Sequence, residues 1–308
     1  MLTASWSVKN GWCSAIRLVG RIVKGVGGNY SVTTEDGLFV CQARGLFRKE
    51  GISPLVGDLV EISVIDASKA TGYLQKILPR KNELTRPRAA NVDQVVLVCA
   101  IVPPISLEVT DGFLLNCEKQ HIDAVLCINK IDLDAGGDYQ KIARAYEMAK
   151  YKVYAVSAAE NTGLKALQQA FAGKTSILAG PSGVGKSSIL NALYPEHNLE
   201  VGELSEKIKR GKHTTRHTAL LQVDNNSFVV DSPGFTSFSI AHIKKEELQH
   251  LYPEFRPYLD KCYYIDCIHV MEHDCAVKAQ VGRDIDSGRY GRYVKYMGAD
   301  TERGSIND

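Results

Sequence analysis

A side chain set that can read guanine and a loop that can hold phosphate both stand in this chain, in an unusual order. Asn129-Lys130-Ile131-Asp132 comes first. The Asp132 carboxylate can accept hydrogen bonds from guanine N1–H and the exocyclic N2 amine, a donor pair that adenine lacks. The Asn129 amide can orient the site, and the Lys130 stem can cover the base. Gly180-Pro181-Ser182-Gly183-Val184-Gly185-Lys186-Ser187 comes later. Its glycines let successive backbone N–H groups face a β-phosphate, Lys186 supplies positive charge, and the Ser187 hydroxyl can ligate Mg²⁺. The loop alone does not separate ATP from GTP; the tetrad does. An ordinary GTPase carries the two motifs in the reverse order, so the pattern points to a circularly permuted GTP-binding domain.

Further groups fit the same chemistry. Ser157-Ala158 ends the strand after the tetrad, where backbone N–H groups can reach the guanine carbonyl oxygen. Asp231-Ser232-Pro233-Gly234 reads as a second switch, with Asp231 holding Mg²⁺ through water and the Gly234 N–H sensing a γ-phosphate. Between loop and switch lies Gly211-Lys212-His213-Thr214-Thr215-Arg216, in which a threonine hydroxyl can complete the Mg²⁺ shell. Spacing leaves Thr214 and Thr215 open, with Thr215 favoured. Phe235 follows Gly234, so the side chain that orients water in Ras-type enzymes is missing and slow intrinsic hydrolysis is expected. His213 is the candidate to position or deprotonate the water, giving a catalytic set of His213, Lys186 and Thr215.

A separate cluster, Cys262-x₄-Cys267-x-His269-x₅-Cys275, offers enough thiolate and imidazole donors to close a tetrahedral zinc shell. No open coordination position would remain, so the metal is structural. His273 is an alternative to His269. Cys99, Cys117 and Cys127 sit in apolar or helical contexts and read as core residues.

The elements that must position these groups follow from periodicity. At 308 residues, 44% hydrophobic and 23% charged, the chain has an ordinary composition with room for two or three domains. No stretch approaches the roughly 20 apolar residues of a membrane span, and eight cysteines without a secretion signal argue against disulfides. A cytoplasmic, membrane-free protein is expected, with nothing that requires it to be other than a monomer. The net charge of +2 does not decide for or against nucleic acid; local clusters matter more. Lys207, Lys209, Arg210, Lys212 and Arg216 form the densest basic run, and Arg44, Arg48 and Lys49 a smaller one.

Residues 17–80 read as short strands separated by turns, a small β-barrel of OB type with an SH3-like barrel as the alternative. Tyr30, Phe39 and Phe47 are expected to fill its core rather than stack on bases. Residues 1–16 form an extension without assigned fold, and 81–91 a linker. Strands and helices alternate over 92–238, implying a mainly parallel sheet with helices on both faces and an edge hairpin around Asn225-Asn226. Residues 239–308 form a mainly helical, zinc-binding domain with a polar tail. The fold class is therefore multidomain α/β: OB-like barrel, circularly permuted P-loop GTPase domain, zinc domain.

With this motif order, the chain resembles the bacterial RsgA (YjeQ) family of circularly permuted GTPases. Arg44-Gly45-Leu46-Phe47-Arg48, Val56-Gly57-Asp58 and Asn91-Val92-Asp93-Gln94 belong to the resemblance, which covers about residues 20–296. It implies a GTP hydrolase, with GTP or GDP and Mg²⁺ as ligands, acting in late 30S subunit assembly. It also implies an OB domain on 16S rRNA, stimulation by the 30S subunit, and one structural zinc on Cys262, Cys267, His269 and Cys275. Guanine contacts fall to Asn129, Lys130 and Asp132, and phosphate contacts to Gly180 through Ser188. One departure is Asp111-Gly112-Phe113, where the family usually has Asp-Arg-Phe; a cationic contact at that helix start is lost. Two rivals are a GTP-controlled RNA clamp with incidental hydrolysis and, less favoured, an ATP-dependent enzyme.

Overall fold

Strict alternation builds the first domain. Strands β1 (Arg17–Val26), β2 (Asn29–Thr34), β3 (Gly37–Ala43), β4 (Leu59–Asp66) and β5 (Thr71–Ile77) turn Ile22, Val32, Phe39, Cys41, Ile62 and Leu74 into one core. The strand order β1-β2-β3-β5-β4 closes where β4 pairs back onto β1, from Arg17↔Ser63 to Arg21↔Leu59. Closure removes the open sheet edges, as an OB-type barrel requires. Phe39 and Phe47 are buried in the core and Tyr30 packs against it, the packing role expected for all three. Asp58, wholly buried, is held by two bonds from the Arg80 guanidinium at 2.7 and 2.8 Å, which tie the barrel to the segment that leaves it. That segment is not plain linker: β6 (Glu83–Thr85) and β7 (Arg88–Ala90) form a small hairpin.

This computed structural model describes residues 16–45, 47, 51–85, 87–197, 219–224, 226–231 and 243–298. The N-terminal extension and His213, Thr214, Thr215, Gly234 and Phe235 lie outside the described residues, as does the densest basic run.

The second domain is a sheet of β8 (Gln94–Ala100), β9 (Asp123–Asn129), β10 (Lys152–Ala155), β11 (Thr175–Ala179), β12 (Ala219–Asp224) and β13 (Ser227–Asp231). Its order is β10-β9-β8-β11-β13-β12, with only β12 antiparallel to its sheet neighbour β13. Every residue of β8 is buried. Val95, Leu97 and Cys99 pack on one face and Val96, Val98 and Ala100 on the other, as in a sheet covered on both sides. The covering helices are α1 (Leu107–Lys119), α2 (Asp138–Met148), α3 (Leu164–Phe171) and α4 (Lys186–Leu193). Burial pushes the Cys99 and Cys117 thiols up to about 12 and raises Cys127 further, consistent with inert core residues.

The hairpin β12–β13 forms as expected, yet it is not an edge. Lys24 of β1 pairs with Ala219, Thr33 Oγ1 donates to Gln222 Oε1 at 3.4 Å, and the Arg21 guanidinium lies 5.0 Å from the Phe228 ring centre. A free β12 would present unpaired backbone groups, and the barrel pairs with the start of the strand at Ala219, giving one sheet of 11 strands.

The C-terminal domain is made of short helical turns with α5 (Lys245–Leu248) and α6 (Ser287–Tyr296) around a core of Tyr252, Phe255, Val277, Ile285 and Tyr293. Leu115 of α1 completes that core, so the domain is docked on the GTPase helix. Among the described residues no helix is long and apolar enough to cross a membrane.

Candidate functional site

The strand order sets the place of the site. From β8 the chain moves outward to β9 and β10, then returns to β11 on the other side of β8 and continues to β13. The crevice beyond the carboxyl ends of β8 and β11 is the switch point at which open α/β sheets bind ligands. Residues 180–185 leave β11 there and α4 starts at Lys186. Gly180 and Gly185 are required by contact as well as by their φ of +134° and +92°. A Cβ on Gly180 would meet the Val98 carbonyl oxygen at 2.0 Å, and one on Gly185 the Asn129 amide nitrogen at 2.3 Å.

Asn129 and Lys130, from the end of β9, are clasped to this loop. Asn129 Nδ2 donates to the Val184 carbonyl at 2.8 Å, and its Oδ1 accepts from the Ala158 N–H at 3.2 Å. Lys130 Nζ donates to the carbonyls of Gly183 and Val102, both at 2.7 Å. Motifs far apart in sequence therefore form one unit. Ile131 packs against the core, whereas Asp132 beside it is exposed, so its carboxylate is open to a base. The N–H of Ser157 is bonded to the Thr162 carbonyl at 3.0 Å, and that of Ala158 to Asn129. The expected guanine contact from this pair thus requires the longer Ala158–Asn129 bond to be shared or exchanged.

Within the phosphate loop, Pro181, Ser182 and Gly183 are exposed, Val184 is buried as its anchor, and Ser187 is buried at the helix start beside Ser188. Lys186 Nζ lies across the loop, donating to the carbonyls of Gly180 and Pro181 at 2.7 Å each. Burial holds its pKa below the ordinary lysine value, and a phosphate at the loop would favour the charged form. Asp231 ends β13 one strand from the loop, its backbone paired with Ala219.

The cysteine cluster also assembles. The donor atoms of Cys262, Cys267, His269 and Cys275 lie within 4.8 Å of one another. His269 Nδ1 is 3.3 Å from the sulfurs of Cys267 and Cys275 and 3.5 Å from that of Cys262, and the Cys262 and Cys275 sulfurs are 3.9 Å apart. Tetrahedral zinc with bonds of about 2.0–2.3 Å has ligand–ligand edges of about 3.4–3.8 Å, so the donor set fits. Burial pushes the Cys267 thiol up to about 12 and raises Cys275, so thiolates crowded here need a cation to offset them. His273 is exposed and stands outside the cluster, whereas His269 is buried within it. Outer contacts fix the ligand loop: Glu272 accepts from the N–H groups of Ile268 and Val270 at 2.7 and 2.9 Å, and Tyr290 Oη donates to the His269 carbonyl at 2.8 Å.

The profile of the RsgA GTPase matches residues 77–241, and that of the RsgA N-terminal domain matches residues 19–74. The chain belongs to the RsgA GTPase family. It is 42% identical over 282 residues to the small ribosomal subunit biogenesis GTPase RsgA of Alkaliphilus metalliredigens, covering 91% of this chain and 96% of that protein. It is 42% identical over 290 residues to the protein of that name from Geobacillus thermodenitrificans, covering 92% and 98%. The crystal structure of YjeQ from Thermotoga maritima superposes with a TM-score of 0.77 at 36% identity, covering 94% of this chain and 100% of that one. That of YloQ, a circularly permuted GTPase, does so with a TM-score of 0.77 at 33% identity, covering 94% and 97%. As an RsgA GTPase the chain is a GTP hydrolase, and its inverted motif order is that of a circular permutation.

The sequence missed one group of residues. Arg289 of α6 is wholly buried, donating to Asp111 and Glu254 at 2.6 Å each, while Arg292 donates to the second Asp111 oxygen and Tyr146 Oη to the first at 2.8 Å. Burial alone works against the Arg289 cation, and Asp111 and Glu254 reverse this to raise its pKa well above the ordinary value. The departure from the RsgA pattern at Gly112 therefore leaves no uncompensated Asp111: cations reach it from α6. No local motif marks this, because the partners are 178 and 181 residues apart.

Proposed function

We propose that this RsgA-family GTPase binds GTP with Mg²⁺ in the crevice of β8 and β11 and acts on the small ribosomal subunit, with the bound nucleotide controlling how long it stays there. The observation that carries the reading is the clasp of Asn129 and Lys130 onto residues 183 and 184, which joins a guanine reader to a phosphate loop. Asp132 takes the base edge; Gly180 through Ser188 take the phosphates. Ser187, Asp231 and Thr215 serve Mg²⁺, while Gly234 senses the γ-phosphate. The name of the relatives, small ribosomal subunit biogenesis GTPase, supports the subunit as partner. Contacts to 16S rRNA through the barrel and a cytoplasmic setting belong to the same proposal.

Exchanging Asp132 for Asn tests the nucleotide half. The carboxylate would be replaced by an amide that suits the C2 carbonyl of xanthine, so GTP affinity is expected to fall about a hundredfold while xanthosine triphosphate gains. Equal GTP affinity in D132N and wild type contradicts the assignment. ATP should not compete in either protein, which also disposes of the ATP-dependent alternative.

Phe235 leaves hydrolysis without the water-orienting side chain of Ras-type enzymes. His213 is the proposed replacement, with Lys186 and Thr215 stabilising charge on the transferred phosphoryl group. His213→Ala should lower subunit-stimulated turnover by about 10²–10⁴-fold at unchanged GTP affinity. Unchanged turnover removes His213 from the mechanism. The same residue, Phe235, favours the clamp reading, in which hydrolysis is incidental to RNA binding; it requires that small subunits leave turnover unchanged.

A further inference from the structure

A second concave surface lies at the opposite ends of the strands from the nucleotide loop. Gln94, Asp123 and Lys152 stand at the starts of the adjacent parallel strands β8, β9 and β10, with Gln94 opposite Asp123 and Lys152 opposite Val125. His250, Pro253 and Arg256 of the C-terminal domain face them across a cleft of about 760 Å³. The cleft exists only because the two domains are docked, with Arg256 Nη2 bonded to Glu118 at 2.6 Å beside it.

Its charge is uneven. Lys150, Lys152, Lys174 and Arg256 line it against two carboxylates, Glu118 and Asp123. Arg256 is already matched by Glu118, and Lys174 is held by the neutral Gln94 Oε1 at 3.0 Å. Lys150 and Lys152 are exposed and form no ion pair among the described residues. They flank Tyr151, which is 6% exposed and has the Arg289 guanidinium 5.6 Å from its ring centre, so both lysines spring from an anchored point. Lys150 also holds a φ of +69°, in the left-handed region that glycine enters at lower cost. Its place after the end of α2 gives it a favourable helix-dipole contact, but that accounts for neither Lys152 nor the cleft.

We propose that this cleft is a docking surface for the sugar–phosphate backbone of ribosomal RNA, with Lys150 and Lys152 as its main contacts. The proposal rests on the small subunit being the partner. The lining favours backbone over bases. Flexible lysines supply charge without the planar geometry that reads a base edge, and Tyr151, the one tyrosine of a lining that holds no phenylalanine or tryptophan, is buried, which leaves only the small imidazoles of His121 and His250 as exposed rings.

The test is binding of purified 30S subunits by the full-length protein across a salt series, comparing wild type with the Lys150→Glu/Lys152→Glu and Lys150→Gln/Lys152→Gln double variants. The Gln pair should weaken binding at least tenfold near physiological salt and reduce the slope of log affinity against log salt by about 1.5–2. The Glu pair should weaken it further. GTP affinity and melting temperature should match wild type in both, which excludes a folding defect. Wild-type affinity and slope in both variants would overturn the proposal, as would a loss of affinity with no change in slope. If wild type itself fails to bind subunits, the partner reading fails; the same variants are then compared on a free RNA duplex, and indifference there overturns the cleft as well. Displacement of RNA by inorganic phosphate at matched ionic strength would assign the cleft to a small anion instead.

Discussion

Replacing Arg289 by Met is expected to destabilise the protein by about 3–5 kcal/mol, because it leaves Asp111 and Glu254 buried without their common partner. The side chain is 0% exposed, so solvent cannot take over the role. Its guanidinium also sits 5.1 Å from the ring centres of both Tyr146 and Tyr252, joining the GTPase domain to the C-terminal core. The loss should show in urea unfolding as a lower midpoint and as two transitions where wild type has one, since the seam between the domains fails before either core. Glu254→Gln should cost less in the Arg289→Met background than in wild type, because the charge it removes is by then unpaired. A single transition at the wild-type midpoint in Arg289→Met would show that the network does not hold the seam.

Removing zinc from the purified, reduced protein with a chelator should have an effect of similar or greater size, confined to residues 243–298. Structural zinc in small domains carries an apparent binding free energy of about 10–16 kcal/mol, more than a core of this size can supply. Cys267 and Cys275 belong to that core, with Phe255 stacked on Tyr252 at 4.8 Å between ring centres and Phe255 edge-on to His269 at 6.1 Å. The chelated protein should lose the near-ultraviolet aromatic signal of this cluster and become protease-sensitive there, while GTP affinity persists. The GTPase cores pack without residues from the cluster. Metal analysis of the untreated protein should return about one zinc per chain. No zinc, or unchanged melting after chelation, would contradict the assignment.

Much of this was legible in the sequence because its signals are local. The barrel strands alternate with period two, and the phosphate loop sits between an apolar strand and a helix. The cysteine and histidine spacing encodes one small loop. What the sequence could not show depends on contacts between distant segments. The pairing of Lys24 with Ala219, which converts an expected edge hairpin into part of an 11-stranded sheet, joins segments with no shared pattern. Arg289 reads in sequence as one more charge on an amphipathic helix, and only the fold places it against Asp111. The same holds for Ala158, whose N–H serves Asn129 in this structure. The family likeness supplied the activity, but not these contacts.

The contacts add to the routes by which the bound nucleotide is proposed to act on the rest of the chain. The order of motifs suggests transmission along the backbone from Asp231 to the zinc domain, and residues 232–242 lie outside the described residues. Two physical contacts stand beside that covalent path. Strand β13, which ends at Asp231, is linked through β12 to the barrel. Helix α1, which begins past the end of β8, carries the C-terminal domain through Glu108, Asp111, Glu118 and Lys119. A shift in either element on loss of the γ-phosphate would reach both outer domains.

Multiple-turnover GTP hydrolysis by the full-length protein, with and without purified 30S subunits, tests the central claim most directly. The account predicts slow turnover alone and a rise of at least tenfold with subunits, abolished in Lys186→Ala. Turnover that is the same with and without subunits, under conditions where the protein binds them, would contradict it.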